Sequence, residues 1–516
     1  MIRSFLTVST GTLTSRLLGF ARDAMIAALL GAGPVADAFL AAFQLVNVIR
    51  RLLSEGALNA SLVPAWLRER ETAGAAAAAA LAGRVLGTLS AALIVVAALI
   101  GVLMPLVMTA LAPGFAGLTT LQLAVDDARL MLPYLAFAGP ATVLLALSSA
   151  RGHFALTAFS PLLFNVALIS VMAALFVWRQ DASRAALAMA STVGIAGLLQ
   201  LSILAIGHGT GIATPLRVAF DASMRGFIAK AIPGMAASAG PQLLVVAGAI
   251  IASSSPSAVS WLYFANRLVE LPLGIVGVAM GTVLVPEMTR ALRGSDVRAV
   301  ANAESRALEL ATGLALPATL GLMVLSAPIV RLLFEHGAFT ALDTTATAQA
   351  LMWLALALPA HVLVKSLSPA FFAREDTLAP LAAMLTGLAV ALALAVVLGH
   401  FFGATGIAAS IAAGAWSNAA SLIRRGAASF GFAIDDAARR RLPRIAAAAL
   451  VMGALLWLAV NFIPAPMHGI AQTVVLALLI AGAMACYGLL LSLFGVTGWR
   501  ETVNALRPAK PGDLRA

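Results

Sequence analysis

Long apolar segments without charged residues constrain this chain more than any other feature of its sequence. Examples are Ala91–Leu111, Leu385–Gly399 and Gln472–Leu491. A helix of about 20 residues crosses the hydrocarbon core of a bilayer, so these segments are long enough, or nearly so, to span one. Of the 516 residues, 61% are hydrophobic and 11% are charged, whereas about a quarter of the residues in a soluble domain are charged. The sequence therefore predicts an all-α polytopic membrane protein.

The apolar runs between charged residues, prolines and glycines predict about 14 transmembrane helices. The N-terminal run contains two arginines, so we interpret it as a retained first span and not as a cleaved signal. The predicted spans are 4–30, 35–66, 80–111, 129–150, 156–178, 186–207, 226–252, 257–290, 305–334, 345–372, 378–402, 405–424, 443–463 and 470–495.

The loops between the predicted spans alternate in their arginine content. Loops after even-numbered spans are rich in arginine, while the other set contains mainly Arg129, Arg179 and Arg184. The positive-inside rule assigns the arginine-rich loops to the cytoplasm. Both termini are then cytoplasmic. Because most of the basic residues lie in these short loops, the formal net charge of +11 does not indicate a nucleic-acid partner.

Two short similarities recur at nearly the same offset along the chain. Leu62–Ala65 matches Leu284–Glu287, and 284 minus 62 is 222; Ala150-Arg151 matches Ala373-Arg374, and 373 minus 150 is 223. Two lobes of six helices in the same orientation would form a parallel pseudo-repeat, with a site at their junction. We therefore predict an N-lobe at 1–210 (spans 1–6), a C-lobe at 211–430 (spans 7–12), and a C-terminal helix pair with a cytoplasmic tail at 431–516.

Ionisable residues inside the predicted spans are candidate functional residues, because each costs at least about 2.5–3.5 kcal/mol to insert. Helical spacing lets Arg51 pair with Glu55 and Arg267 with Glu270, and it places Arg16 and Asp23 two turns apart on one face. Arg22 and Arg50 have no obvious acid of their own. The full set is Arg16, Arg22, Asp23, Asp37, Arg50, Arg51, Glu55, Arg267, Glu270 and Lys365.

Arginine dominates this set, and its planar guanidinium pairs with phosphate through two hydrogen bonds. Several arginines lining a cavity inside a bilayer favour an anionic ligand such as a phosphate or diphosphate. The alternative is that each charge forms a structural ion pair or extends to the interface.

Other kinds of site find little support in the sequence. The six histidines are scattered without metal-ligand spacing, and the single cysteine, Cys486, excludes an intramolecular disulfide. We find no nucleotide-binding loop, no Ser/His/Asp order and no paired carboxylates placed for acid–base catalysis. We therefore expect no metal, no cofactor and no enzymatic activity.

Several motifs resemble the signatures of the MurJ/MviN family, which belongs to the multidrug/oligosaccharidyl-lipid/polysaccharide exporter superfamily. The similarity extends through the whole chain, and the first motif is quite specific. The motifs are Ser15–Asp23, Asp37-Ala38-Phe39, Asn47–Arg51, Glu55-Gly56-Ala57, and Trp261–Leu268 with Glu270-Leu271-Pro272.

This resemblance implies 14 helices, two six-helix lobes around a central cavity, and a final helix pair that forms a lipid-facing groove. It implies transport of lipid II, an undecaprenyl-diphosphate-linked peptidoglycan precursor, from the inner to the outer leaflet of the cytoplasmic membrane. The substrate-binding arginines of the family fall here on Arg16, Arg22, Arg50 and Arg267, with Asp23, Asp37, Arg51, Glu55 and Glu270 in supporting or gating roles. Membrane lipids are partners, and cell-wall synthesis machinery is a further partner class that the resemblance suggests.

The sequence departs from the family pattern at two places. Asn266 stands where an acid is common, and the seventh predicted span lacks the carboxylates that some members are thought to use for sodium. We therefore do not expect sodium coupling and consider membrane potential as an energy source. A flippase for another polyprenyl-diphosphate glycan and a cation-coupled small-molecule antiporter of the same superfamily remain alternatives.

Overall fold

A computed structural model gives the fold. It describes residues 2–54, 57–152, 154–208, 213–219, 221, 224–226, 228–229, 240–279, 297–372, 374, 376, 378–430, 435–462 and 469–496. Glu55 and the second-half motif Leu284–Glu287 lie outside these residues, so the fold does not test them.

The described part of the chain is built from helices joined by short turns. The first eight are α1 (Ile2–Leu30), α2 (Pro34–Ser54), α3 (Ala57–Val102), α4 (Met104–Leu111), α5 (Thr119–Met131), α6 (Pro133–Ala150), α7 (Phe154–Trp178) and α8 (Ala182–His208), with a 3-10 turn at Pro113–Phe115. The remaining helices are α9 (Gly240–Ala252), α10 (Ala258–Ala279), α11 (Val297–Val324), α12 (Ser326–Phe334), α13 (Ala341–Ala355), α14 (Ala357–Phe372), α15 (Leu378–Phe430), α16 (Asp436–Asn461) and α17 (Ile470–Leu493).

Helices prevail because a backbone inside lipid must satisfy its own hydrogen bonds. Two of the longest helices contain a sharp glycine turn. Gly74 interrupts α3 at φ 89° and ψ 177°, and Gly403 interrupts α15 at φ 54° and ψ −135°. Both positive φ values favour glycine. Each turn divides its helix into two segments, so α3 and α15 each carry parts of two predicted spans.

The predicted all-α polytopic fold is confirmed. Within the described residues, nine helices are long and apolar enough to cross a membrane, and each of the 14 predicted spans overlaps a helix.

Several predicted boundaries are wrong, and two of them displace charged residues from a helix into a loop. The fourth predicted span begins at 129, whereas α5 already begins at Thr119 and carries Asp126, Asp127 and Arg129 inside a helix. The thirteenth is predicted to begin at 443, but α16 begins at Asp436, where the side chain of Asp435 accepts a hydrogen bond from the Ala438 amide. In both cases charged residues that belong to a helix were assigned to a loop.

Contacts between Cα atoms divide the chain into two compact units. The first comprises Met1–Phe264, Leu333–Ala346 and Leu394–Ile407. Within it α1 packs on α7, α2 on α5, and α6 on both α3 and α8. A buried apolar cluster formed by α3, α6 and α8 includes Trp66, Val85 and Leu147. The candidate site residues of α1 and α2 therefore belong to one packed bundle.

The second unit comprises Ala265–Leu332, Thr347–Ala393 and Ala408–Ala516. Helix α11 is its centre, since it packs on α14 and α16, and α16 packs on α17. The Tyr487 hydroxyl on α17 donates a hydrogen bond to the Gly313 carbonyl on α11 at 2.9 Å. The final helix pair is therefore joined to the rest of its unit by packing and by a specific polar contact.

Candidate substrate-binding site

Arg22 forms a buried ion pair with its sequence neighbour Asp23 on α1. Arg22 Nη2 lies 2.6 Å and Nε 2.9 Å from Asp23 Oδ1. Arg22 is 8% exposed and Asp23 is fully buried. The Tyr263 hydroxyl also donates to Asp23 Oδ1, at 3.2 Å. One carboxylate oxygen thus accepts hydrogen bonds from a cation and a phenol.

The guanidinium of Arg22 is further held by α7 and by two aromatic rings. Its Nη1 donates to Asn165 Oδ1 at 3.0 Å, and Asn165 Nδ2 donates to the Ser15 carbonyl at 3.3 Å. The Arg22 Cζ atom lies 5.0 Å from the ring centroid of Phe43 and 5.9 Å from that of Phe164. The guanidinium is therefore fixed in one orientation.

The predicted partners of Arg22 and Asp23 are wrong. The helical spacing left Arg22 without an acid and placed Asp23 on one face with Arg16. Residues one apart do not face each other along a helix, but the long arginine side chain bends back to reach the adjacent carboxylate. In the described residues, no hydrogen bond or ion pair involves Arg16, whose side chain is exposed.

Asp37, predicted to have a supporting or gating role, contacts Ser260, and no ion pair with an arginine occurs among the described residues. Its Oδ1 accepts hydrogen bonds from the Ser260 amide, at 2.9 Å, and from the Ser260 hydroxyl. Ser260 is in the first turn of α10, where unpaired N–H groups and the helix dipole favour a negative charge. Asp37, on α2, therefore caps the N-terminus of another helix.

Arg50, on α2, forms no ion pair with an acid among the described residues. It is half-buried, and its Nη2 donates to the neutral amide oxygen of Asn47 at 3.3 Å. Its Nε is buried and has no hydrogen-bond partner among the described residues. Arg51, the next residue, is also half-buried. The predicted Arg51–Glu55 pair stays a prediction because Glu55 lies outside the described residues.

Arg267 and Glu270 belong to the second unit and form the predicted i,i+3 pair on α10. Arg267 Nη1 lies 3.0 Å from Glu270 Oε2, with the two side chains 23% and 31% exposed. Asn266 Nδ2 donates to Glu270 Oε1 at 3.4 Å. Asn266 therefore forms a hydrogen bond with the same carboxylate that pairs with Arg267.

In the first unit, a closely packed group joins the end of α1 to the turn after α12, on the side that the charge bias predicts to be outer. The Ala338 amide donates to the Ala28 carbonyl at 2.8 Å. Gly31 and Gly337 both have positive φ, and a Cβ on either would lie 2.6 Å or less from the opposing carbonyl oxygen. We call this group, together with the Asp37–Ser260 contact, the outer closure.

Aromatic rings and a second carboxylate extend the outer closure. Phe264 lies 5.1 Å from Phe334 and 5.6 Å from Phe339 between ring centroids. Trp261 Nε1 donates to Asp343 Oδ1 at 3.0 Å, and Asp343 Oδ2 accepts from the Thr340 amide and hydroxyl. The turn at 335–338, α10 and α13 are thus connected by polar and aromatic contacts.

Sequence reasoning missed several residues of this site. Asn165 could have been noticed as a lone amide within an apolar span, where polar residues commonly join helices. Ser260 carries no such signal, since its role depends on a residue 223 positions away. Asp127 was assigned to a loop, yet it is 2% exposed and its Oδ1 lacks a hydrogen-bond partner in the described part of the chain.

A bundle of membrane-spanning helices that holds arginines in its interior is typical of membrane transport proteins. Comparison with known proteins identifies the family. The family model described as "Lipid II flippase MurJ" matches residues 26–479, and the chain belongs to this family.

Two curated relatives show how far the sequence similarity extends. A probable lipid II flippase MurJ of Rhizobium tropici is 36% identical over 100% of this chain and 99% of its own length. Another from Rhizobium meliloti (strain 1021) is 37% identical over 94% of this chain and 92% of its own length. The protein is thus a multi-pass protein of the bacterial inner membrane.

Solved structures share the fold at low sequence identity. One, described as "Lipid II flippase MurJ, inward closed conformation", has a TM-score of 0.79 and 19% identity, and the match covers 96% of this chain and 100% of that one. An inward-facing multidrug transporter of the MATE family has a TM-score of 0.65 and 15% identity, over 86% of this chain and 98% of that one. These matches confirm the predicted fold.

Proposed function

We propose that this protein is a flippase that moves lipid II from the inner to the outer leaflet of the cytoplasmic membrane by alternating access. Family membership supports the substrate, because the matching family model and both relatives carry that description. Both termini are cytoplasmic in this proposal, as the loop charges favour. The transport cycle makes and breaks no covalent bond.

The charge state of Arg50 is the observation that carries this proposal. A half-buried guanidinium within a membrane span is costly unless an anion neutralises it. The described residues offer Arg50 only a neutral amide. A diphosphate would supply the missing charge and accept the Nε hydrogen bond.

The other arginines have complementary roles in this mechanism. Arg22 is oriented by Asp23 and Asn165 and so presents a fixed positive charge. Arg16 and Arg267 complete the phosphate-binding set as the family resemblance implies. Glu270 would hold Arg267 and neutralise it after the ligand leaves, as their 3.0 Å contact supports.

The outer closure is consistent with alternating access, because it joins helices by polar and aromatic contacts on the side that the charge bias predicts to be outer. Release of the headgroup outward requires these contacts to open. The polyprenyl tail remains in lipid beside α16 and α17, whose outward faces are apolar, with Leu450, Phe462 and Ile470 among the exposed side chains. No cofactor is needed. The membrane potential is worth about 2.3 kcal/mol per charge per 100 mV and could drive the return step.

The test depletes the protein in its host and adds, outside the cytoplasmic membrane, a toxin that cleaves lipid II. Wild type is expected to restore cleavage, and Arg50→Ala at equal expression is not. Arg184→Ala is the matched control, since Arg184 is 77% exposed and paired with Asp181. Cleavage that persists after depletion, with redundant flippases removed, would point to a different lipid-linked glycan or a small molecule as substrate.

A further inference from the structure

A pocket of about 280 Å³ lies in the first unit, on the side that the loop charges predict to be cytoplasmic. It is lined by Trp66, Arg70, Ala75, Ala79 and Arg151. The turn at Gly74 forms it, because the chain reverses there between the segment that carries Trp66 and the segment that carries Ala79. Arg151, which directly follows the last residue of α6, also lines the pocket.

The pocket presents two guanidinium groups, and no acid among the described residues forms an ion pair with either. The Cζ atoms of Arg70 and Arg151 lie 5.3 Å and 5.9 Å from the Trp66 ring centroid. Neither side chain forms an ion pair within the described residues, although Glu69 and Glu71 flank Arg70 in sequence.

Trp66 forms the buried wall of the pocket. The residue is 2% exposed, and its Nε1 has no hydrogen-bond partner in the described part of the chain. Its ring provides the surface against which the guanidinium groups of Arg70 and Arg151 lie.

Arg374 corresponds to Arg151 in the predicted second repeat, and its contacts are typical of a structural role. Arg374 also stacks on an aromatic ring, with Cζ 3.9 Å from the centroid of Phe430. However, its Nη2 lies 3.8 Å from Glu304 Oε1, and its Nη1 donates to the Ala370 carbonyl. Arg374 is therefore neutralised by the protein, whereas Arg151 is not.

We propose that the Trp66 pocket is a phosphate-binding site, separate from the arginines of the transport site. Two guanidinium groups can each donate two hydrogen bonds to a phosphate. The volume is slightly below the 300–1,000 Å³ typical of sites for drug-sized ligands, so it suits a phosphate with a small substituent. The phosphate belongs to a soluble phosphoester or to an anionic lipid headgroup, both present at a cytoplasmic membrane surface.

The experiment uses the full-length protein and two probes. Equilibrium dialysis in an uncharged detergent measures binding of radiolabelled inorganic phosphate. Native mass spectrometry counts the phosphatidylglycerol molecules retained after extraction from phosphatidylcholine vesicles with and without phosphatidylglycerol. The variants are Arg70→Ala with Arg151→Ala, Trp66→Phe, and Arg68→Ala as the matched control, since Arg68 is exposed on the same helix.

Wild type is expected to bind at least one probe, with a loss of tenfold or more in the double arginine variant. Trp66→Phe leaves a smaller ring for the two guanidinium groups to lie against, so a loss of a few-fold is expected. Binding of inorganic phosphate identifies a soluble phosphoester as the source, while retention of phosphatidylglycerol alone identifies a lipid headgroup. The proposal is overturned if neither probe binds, or if Arg68→Ala loses binding as strongly as the double variant.

Discussion

The carboxylate of Asp37 on α2 accepts a hydrogen bond from the backbone amide of Ser260 on α10 at 2.9 Å. An N-terminal cap normally comes from the residue just before its helix, but here it comes from 223 residues away in sequence. The cap therefore stabilises a contact between two helices as well as the helix itself. Whether the outer closure is shut depends in part on this one carboxylate.

Replacement of Asp37 by alanine is expected to open the outer closure. Loss of a cap costs about 1 kcal/mol, equivalent to roughly a fivefold shift between closed and open forms. Ala36, which is fully buried beside Asp37, can be replaced by cysteine in a Cys486→Ser background. Labelling by an impermeant maleimide from outside should then rise about fivefold. Asp37→Asn is the control, because asparagine caps helices nearly as well; equal labelling of all three proteins would contradict this role.

The two glycines of the α1–α2 turn should differ sharply in their tolerance of alanine. Gly31 has φ +65°, and a Cβ there would lie 2.6 Å from the Ala338 carbonyl oxygen, whereas a Cβ on Gly33 meets nothing within 4 Å. The left-handed conformation alone costs an L-residue about 1–2 kcal/mol. Gly31→Ala is therefore expected to lower the melting temperature in detergent, and Gly33→Ala to leave it unchanged. A similar melting temperature for both variants would show that the turn relaxes around the added methyl group.

The sequence predicted the spans and the residues that carry the buried charges, but it did not predict how those residues pair. Span prediction succeeded because apolar length is a local property of the chain. Pairing between Arg267 and Glu270 also succeeded, since an i,i+3 spacing fixes that distance on a helix. The Arg22–Asp23 pair was missed because spacing rules describe the direction of side chains and not their reach.

Long-range partners could not be predicted without the packing of the helices. Asn165 is 143 residues from Arg22, and Tyr263 is 240 residues from Asp23. The pocket beside Trp66 depends on the backbone turn at Gly74. The alanine-rich sequence around this glycine does not predict such a turn. The division into lobes at 210 and 430 stays a prediction.

Variants of the Arg22–Asp23 pair should separate folding from transport. Arg22→Ala leaves Asp23, which is fully buried, without its cation, and loss of one partner from a buried pair costs about 3–5 kcal/mol. Arg22→Met with Asp23→Asn removes both charges at similar volume, so it is expected to recover the melting temperature. Transport, measured by external cleavage of lipid II, is expected to stay at least tenfold below wild type. Full transport by the double variant would show that the pair is structural only.

Arg22→Lys tests the geometry of the guanidinium separately from its charge. A lysine ammonium cannot reproduce the planar fork that joins Asp23 Oδ1 and Asn165 Oδ1. We expect normal expression and a small change in melting temperature, with transport reduced by about tenfold or more. Asn165→Ala should lower transport less than Arg22→Lys, because it removes one contact and leaves the cation in place. The opposite order would indicate that the orientation of the guanidinium matters more than its phosphate contacts.

The hydroxyl of Tyr487 is expected to contribute measurably to the docking of the final helix pair. It donates to the Gly313 carbonyl at 2.9 Å. Tyr487→Phe removes this hydrogen bond and keeps the ring, at a cost of about 0.5–1.5 kcal/mol. Hydrogen exchange across 470–493 should therefore accelerate by roughly two- to tenfold. Tyr134→Phe is the control, since no hydrogen bond of the Tyr134 hydroxyl occurs in the described residues. If the two variants accelerate exchange in α17 equally, or neither does, then the hydroxyl adds nothing to the attachment of the lipid-facing pair.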